Sequence, residues 1–350
     1  MSWFSDRGIR TKLLAAFLVL GLVPLSGVGM FAYCIAESSL SEAAGRRLED
    51  VAFNASDKLD RNLFERYGDV QAFALSDPAK SLDPDRVSTW MDTMVGAYAP
   101  IYKVMVVADA KGHIIATNTV DLDGKPLPAT QKLLGRDVSG EAWFKQAMSG
   151  KINDGQSFVE DLHHDPLMAV VYGTQDNADL AMNFTAPIKD GDGHIIGVWS
   201  NRFNWDVATS VLGDVEARAK ASGMTTAALG LASADGTALD TPDAADVLKV
   251  SFAQRTSFRR ASQATTGYAD GQALVGSQAA LEGWAREQGF SSYKGLGWTV
   301  VAVQDRDEAL LPATQLRNGL LAAGAHGCDG LPGRGLHLAD QLGDLLGLTA

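Results

Sequence analysis

Tyr102-Lys103-Val104-Met105-Val106-Val107-Ala108, then Asp109-Ala110-Lys111-Gly112, then His113-Ile114-Ile115-Ala116-Thr117, is the stretch that decides the fold. An apolar run, a polar turn ending in glycine and a second apolar run predict a buried strand, a tight turn and a returning strand. Working outward, Asp190-Gly191-Asp192-Gly193-His194-Ile195-Ile196-Gly197 repeats the pattern almost residue for residue. A looser third copy, Ala232-Ser233-Ala234-Asp235-Gly236-Thr237-Ala238-Leu239, follows the apolar Ala227 to Leu231. Hairpin turns are common, so the placement of these three carries more than their chemistry. Between the first two, the pattern predicts a helix around Trp143 to Met148, a strand near Gln156 to Asp161 and a strand from Leu180 to Pro187. The strand Ile195 to Phe203 closes a small α+β module. Asp206 to Ala221 reads as a connecting helix, and Thr225 to about Gln304 as a second module ending in the strand Trp298 to Val303.

Upstream, Leu40, Ala44, Leu48, Val51, Leu59, Leu63, Val70 and Phe73 recur at helical spacing, predicting one long amphipathic helix from Glu37 to about Leu75. A shorter helix, Asp85 to Ala97, follows Pro84. Leu13 to Ala36 is an uncharged run of 24 residues. At 1.5 Å per residue it is about 36 Å long, enough to cross a membrane, and Pro24 is tolerable there. Arg7, Arg10 and Lys12 precede it, while Glu37, Glu42, Glu49 and Asp50 follow, which places the rest of the chain outside the cytoplasm. The run exceeds the apolar core of a cleaved signal peptide, and Tyr33 and Cys34 make a poor cleavage site, so it reads as an anchor.

The 350 residues are 46% hydrophobic and 21% charged, ample for one or two cores. A net charge of -12 without a cluster of Lys and Arg excludes a nucleic-acid face. Cys34 lies in the apolar run and Cys328 near the end, so no internal disulfide is expected. The chain lacks a phosphate-binding glycine loop, a nucleophile elbow and a His-Glu-x-x-His helix, so no enzymatic activity and no cofactor are expected. His163-His164-Asp165 is the densest group of metal-ligating side chains, but neighbours on a strand point to opposite faces, and no metal site is expected. His113 and His194 read as exposed turn residues at matching hairpin positions.

Taken in order, several segments resemble the double-Cache sensor region of bacterial methyl-accepting chemotaxis proteins. They are Val104 to Gly112, Gly135-Arg136-Asp137-Val138, Glu141-Ala142-Trp143-Phe144-Lys145-Gln146-Ala147, Ala186-Pro187-Ile188-Lys189-Asp190 with Gly193 and Gly197-Val198, and Gly295-Leu296-Gly297-Trp298-Thr299-Val300. The likeness covers roughly residues 37 to 312. It implies an α+β fold: a transmembrane helix, then a long helix carrying two PAS-like (Cache) modules in series, each a central antiparallel sheet with flanking helices. The segments expected are a cytoplasmic 1–12, a transmembrane 13–36, the two sensor helices in 37–99, a membrane-distal module in 100–205, a connecting helix and membrane-proximal module in 206–310, and an incomplete second span with an atypical tail in 311–350.

The resemblance also implies a homodimer in the bacterial inner membrane, single-pass here, with its sensor in the periplasm and a small molecule bound in the distal module. Trp143 and Phe144 match the aromatic pair of that pocket, and Asp161 matches one further position. Elsewhere the chain departs from amino-acid receptors of this kind: Glu141 stands where a carboxylate-binding Arg is usual, Val159 replaces an aromatic residue, and Asn201 or Arg202 replaces an amine-binding Asp. Glu141 would repel a carboxylate, whereas Glu141 and Asp161 beside Trp143 suit a cation. Arg202 could neutralise one acid or bind the anionic end of a zwitterion. An amine, a betaine or a zwitterion is therefore expected. The same sensor could serve a histidine kinase or a diguanylate cyclase, or the chain could be a tethered solute-binding protein without its own output. Asp305 to Ala325 reads as a helix, yet the uncharged stretch after Arg317 stops at Ala325, short of the roughly 20 residues of a span. The Gly-rich tail that follows reads as a truncated or frame-disrupted end, with no cytoplasmic signalling partner encoded.

Overall fold

A computed structural model describes residues 8–326. Its first helix, α1 (Ile9–Leu75), joins the apolar run and the amphipathic stretch in one element of 67 residues that contains Pro24. Among the described residues it is the one helix long and apolar enough to cross a membrane. Leu48, Ala52, Ala55, Leu59 and Leu63 are buried along it at spacings of three and four, the stripe that a helix face presents to a core. Ser76 and Asp83 then cap α2 (Asp77–Ser81) and α3 (Pro84–Ala97), each with a proline in its first turn.

The next segment builds a five-stranded antiparallel sheet from β1 (Tyr102–Asp109), β2 (Ile114–Thr117), β3 (Phe158–His164), β4 (Leu180–Lys189) and β5 (Ile195–Asn204), in the order β2-β1-β5-β4-β3. Helices α4 (Ala142–Met148) and α5 (Pro166–Tyr172) lie within it in sequence. After α6 (Trp205–Ala221), a second sheet forms from β6 (Ala228–Ala232), β7 (Ala238–Asp240), β8 (Thr266–Gln272), β9 (Ala279–Arg286) and β10 (Thr299–Asp305), with α7 (Thr256–Ala261) before β8. Its order, β7-β6-β10-β9-β8, is the first sheet's order over again. The predicted terminal helix is divided at Leu310 into α8 (Arg306–Ala309) and α9 (Leu311–His326), with Pro312 in the first turn of the second piece. Residues 327–350, including most of the expected atypical tail, lie outside the described residues. Both sheets fall within one compact unit, Ala44–Glu308; the described residues before and after it, 8–43 and 309–326, fall in another.

The repeated turn has a physical basis. Asp109 and Asp190 each accept from the backbone N–H two and four residues on, all at 2.9 Å, and Gly112 and Gly193 follow with φ of 90° and 85°. Such turns need an oxygen at the first position and a left-handed glycine at the fourth. Asp121 with Gly124 makes a further copy at the same 2.9 Å distances. His113 and His194 are exposed, as the turn position predicts.

Both faces of the first sheet are covered, which is why β1 is buried almost throughout rather than in alternation. On one face, Phe73 of α1 meets Trp90, Tyr98, Tyr102 and Trp199 at ring separations of 5.2 to 6.0 Å. Edge-to-face clusters of this kind fix the helices on the sheet. Against the second sheet, α1 comes closer still. A Cβ on Gly283 of β9 would overlap the backbone of Leu48 and Glu49, and one on Gly45 would overlap the ring of Tyr268.

Candidate functional site

The other face of the first sheet carries a polar cluster. Glu160, Asn183, Arg202 and Val104 are register partners across β3, β4, β5 and β1, so their side chains form one row. Trp143 and Phe144 of α4 and Leu167 and Met168 of α5 belong to the apolar core on this face. Strict alternation would separate His163 from Glu160. In β3, however, the register shifts between Glu160 and His163, and this bulge turns His163 back to the cluster, 3.9 Å from Glu160 and 3.6 Å from Asp165.

Arg202 is fully buried and its guanidinium carbon lies 4.8 Å from the centre of the Trp143 ring. Its Nε donates to Asp165 at 3.3 Å and its Nη1 to the Ser200 carbonyl at 3.4 Å. Asp165, 1% exposed, caps α5 by accepting from Leu167 and Met168 at 2.8 Å, and accepts from Asn183 at 3.1 Å. The Asn183 amide also donates to Glu160 at 2.9 Å. Two enclosed atoms remain without partners, Nη2 of Arg202 and Oδ1 of Asn183. Toward the edge the cluster opens, with the Glu160 and His163 side chains 26% and 31% exposed.

Electrostatics follow from this packing. Burial raises the Asp165 carboxyl, but the Arg202 charge and the hydrogen bonds from His163, Met168 and Asn183 outweigh it and hold the group well below the usual carboxylate range. For His163, burial works against the charged ring, yet hydrogen bonds to Asp165 and the Asp161 carbonyl and the charges of Asp165 and Glu160 push it up overall. The arrangement sets a buried donor and a buried acceptor on neighbouring strands, with a part-exposed acid and histidine at its edge.

No family model and no curated protein matches the chain. Solved structures do. The ligand-binding domain of the Pseudomonas fluorescens chemoreceptor CtaA, in complex with L-isoleucine, matches at 18% identity with a TM-score of 0.54 over 78% of this chain and 97% of that one. The amino-acid chemoreceptor PctB of Pseudomonas aeruginosa PAO1, with L-Arg, matches at 16% identity and a TM-score of 0.53 over 79% and 93%. The extracellular domain of a candidate histidine kinase, rpHK1S-Z16, matches at 15% and 0.51 over 78% and 97%. The fold is the double-Cache fold.

Within the first Cache module, the residues expected from sequence divide. Trp143, Phe144 and Arg202 come together beneath α4. Glu141 does not join them: it is the exposed N-cap residue of α4 and its side chain makes no capping bond. Asp161 sits in the bulge of β3 and accepts from the Trp298 indole N–H at 3.1 and 3.2 Å, so it faces the second Cache module. Burial raises its carboxyl despite that bond and the one from Leu162. Asn201 lies one residue from Arg202 on β5, hence on the opposite face, and accepts from Trp199 at 2.6 Å. The expected cation box of Glu141, Asp161 and Trp143 is therefore not assembled, because Arg202 already occupies the aromatic face.

Sequence reading missed Glu160, His163, Asp165 and Asn183. A signal for Asp165 was present: an Asp followed by Pro166 is a helix start. His163 and His164 do diverge, the latter pairing with Asp179 at 3.0 Å.

Proposed function

We propose that the chain is an extracytoplasmic small-molecule sensor of the chemoreceptor type, anchored by residues 13–36, with residues 100–205 as its ligand-binding module and a homodimer as its working form. The observation that carries the ligand reading is the row of Arg202 and Asn183, where an unpartnered guanidinium nitrogen and an unpartnered carbonyl oxygen are both enclosed. A carboxylate on Nη2 would satisfy the first, and an ammonium on Oδ1, with Glu160 nearby, the second. The ligand is accordingly a small zwitterion of amino-acid type. CtaA and PctB, the chemoreceptors of like fold, were solved with L-isoleucine and L-Arg. A simple amine or quaternary cation is disfavoured, since the ring of Trp143 is stacked on Arg202. The same fold on a kinase extracellular domain accords with an output set by whatever the sensor is joined to.

The test is calorimetry on the full chain in detergent against amino acids, betaines and plain amines. We expect saturable binding of a zwitterion that is lost in Asn183→Leu and in Arg202→Met. Binding of a carboxylate-free amine that survives both substitutions would overturn the reading.

A further inference from the structure

A second cluster, separate from the zwitterion row, lies where α1 meets the loop between β9 and β10. Asp60 of α1 is 4% exposed, and its Oδ2 accepts from the Gln288 N–H at 3.3 Å. Its Oδ1 is enclosed without a donor, and because Gln288 directly follows Glu287 the bond from its N–H brings the two acids side by side. Glu287 accepts three hydrogen bonds, from the Tyr293 hydroxyl at 2.9 Å and from the N–H groups of Leu296 and Trp298 at 2.6 and 3.1 Å. Two neighbouring carboxylates away from solvent, one of them with an oxygen that has no donor, form a repulsive pair unless one carries a proton. With Glu287 so fully engaged as an acceptor, the proton belongs on Asp60.

We propose that Asp60 and Glu287 share one proton, that this proton clasps the long helix to the second Cache module, and that its loss releases the clasp, making the protein respond to the proton concentration around it.

Among the described residues, the charge that bears on Asp60 is that of Glu287, and the nearby cations are exposed or engaged elsewhere; Arg286, beside Glu287, is exposed. On α1, Arg61 is paired with Asp57 at 2.8 Å and stacks on Phe290 at 4.5 Å, while Tyr67 meets Tyr293. In the loop, the Lys294 ammonium donates to the Ser291 carbonyl at 2.7 Å. From β3 comes another acid, Asp161, engaged with Trp298, and from the β6 to β7 turn Asp235, so the remaining field is negative. Burial, then the charge of Glu287 and the hydrogen bond to it, push Asp60 up to about 7, against two backbone N–H groups that lower it. In the unfolded chain the group titrates near 3.9, so between about pH 4 and 7 the unfolded chain sheds a proton that the fold retains. The clasp is therefore complete at low pH, weakens as pH rises through that window and is gone above it.

The test uses the full chain in nanodiscs. Infrared spectra with carbon-13 aspartate should show a protonated carboxyl that titrates between about pH 6 and 8, absent in Asp60→Asn. Hydrogen exchange across residues 287–298, corrected for the intrinsic pH dependence, should lose about tenfold protection one unit above the midpoint in the wild type. Asp60→Asn, whose amide donates where the acid did, should keep that protection and melt higher than the wild type at about pH 8. Glu287→Gln should move the Asp60 midpoint down by about one unit or more, because the repelling charge is gone. No carboxyl titrating in that window, or identical pH profiles for wild type and Asp60→Asn, would overturn the proposal. Should Asp60→Asn fail to fold, Glu287→Gln decides: it should move the Asp60 band and leave unmoved that of Asp240, which burial away from Glu287 raises to about 6.

Discussion

The two Cache modules have the same strand order and nearly the same short helix after the second strand, yet they hold an arginine, fully buried in the first and half-buried in the second, in different ways. In the first, Glu141-Ala142-Trp143-Phe144-Lys145-Gln146-Ala147 runs into α4; in the second, Arg255-Thr256-Ser257-Phe258-Arg259-Arg260-Ala261 forms α7. Each N-cap residue lacks a side-chain capping bond. The second module puts its arginine on the helix cap, where both terminal nitrogens are used: Arg255 Nη2 bonds Glu282 at 2.6 Å and the Gln272 carbonyl, and Nη1 bonds the Ala273 carbonyl at 3.3 Å. Glu282 is also taken by the N–H groups of Ser257 and Gln272. In the first module the arginine comes from the sheet, stacks on Trp143 and keeps one terminal nitrogen open. The same strand order thus carries one ion pair closed at both terminal nitrogens, with Nε of Arg255 unbonded, and one fork that bonds through Nε and Nη1 and leaves the terminal Nη2 of Arg202 unbonded.

Three substitutions probe that contrast. Arg202→Met should cost the most, about 3–5 kcal/mol in urea denaturation at neutral pH, because Asp165 is left as a buried charge without its counterion. Since the folded Asp165 is held below its unfolded value near 3.9, the wild-type advantage should be present above about pH 4 and fade as pH falls further. A loss under about 1 kcal/mol would mean that the first module's pair is no more buried than a surface one. Glu282→Gln should cost about 1–3 kcal/mol, leaving Arg255 less well satisfied, while zwitterion binding in calorimetry stays unchanged. If binding disappears with Glu282, the second module is not a closed pair but part of the site. Glu141→Ala, at an exposed cap without a capping bond, should shift stability by less than about 0.5 kcal/mol and leave affinity unaltered. A tenfold loss of affinity there would restore Glu141 to the site.

Much of the architecture was legible because periodicity and turn chemistry are local. The long helix, the Asp-x-x-Gly turns and the strands from Tyr102 and Ile195 announce themselves within a few residues. α5 was legible in principle, from Asp165 and Pro166, but the pair was absorbed into a run of metal-ligand types. The bulge in β3 was not legible: it shifts register by one residue, and that single slip decides that His163 joins Glu160 while Asp161 turns toward Trp298. Nor could sequence show that Arg202 and Trp143, so far apart in the chain, would stack. That contact depends on the pairing of β5 with β1 and β4, which is a property of the whole sheet.

The glycine at position 283 has a further consequence. Where side chains separate a helix from a sheet, rotamers act as springs, and small displacements are soaked up locally. Between Leu48 and Gly283 there is backbone on both sides and nothing to compress. At that point α1 runs like a shaft in a close-fitting bushing: it can turn or lift off with the strand it bears on, but it has no slack in which to drift.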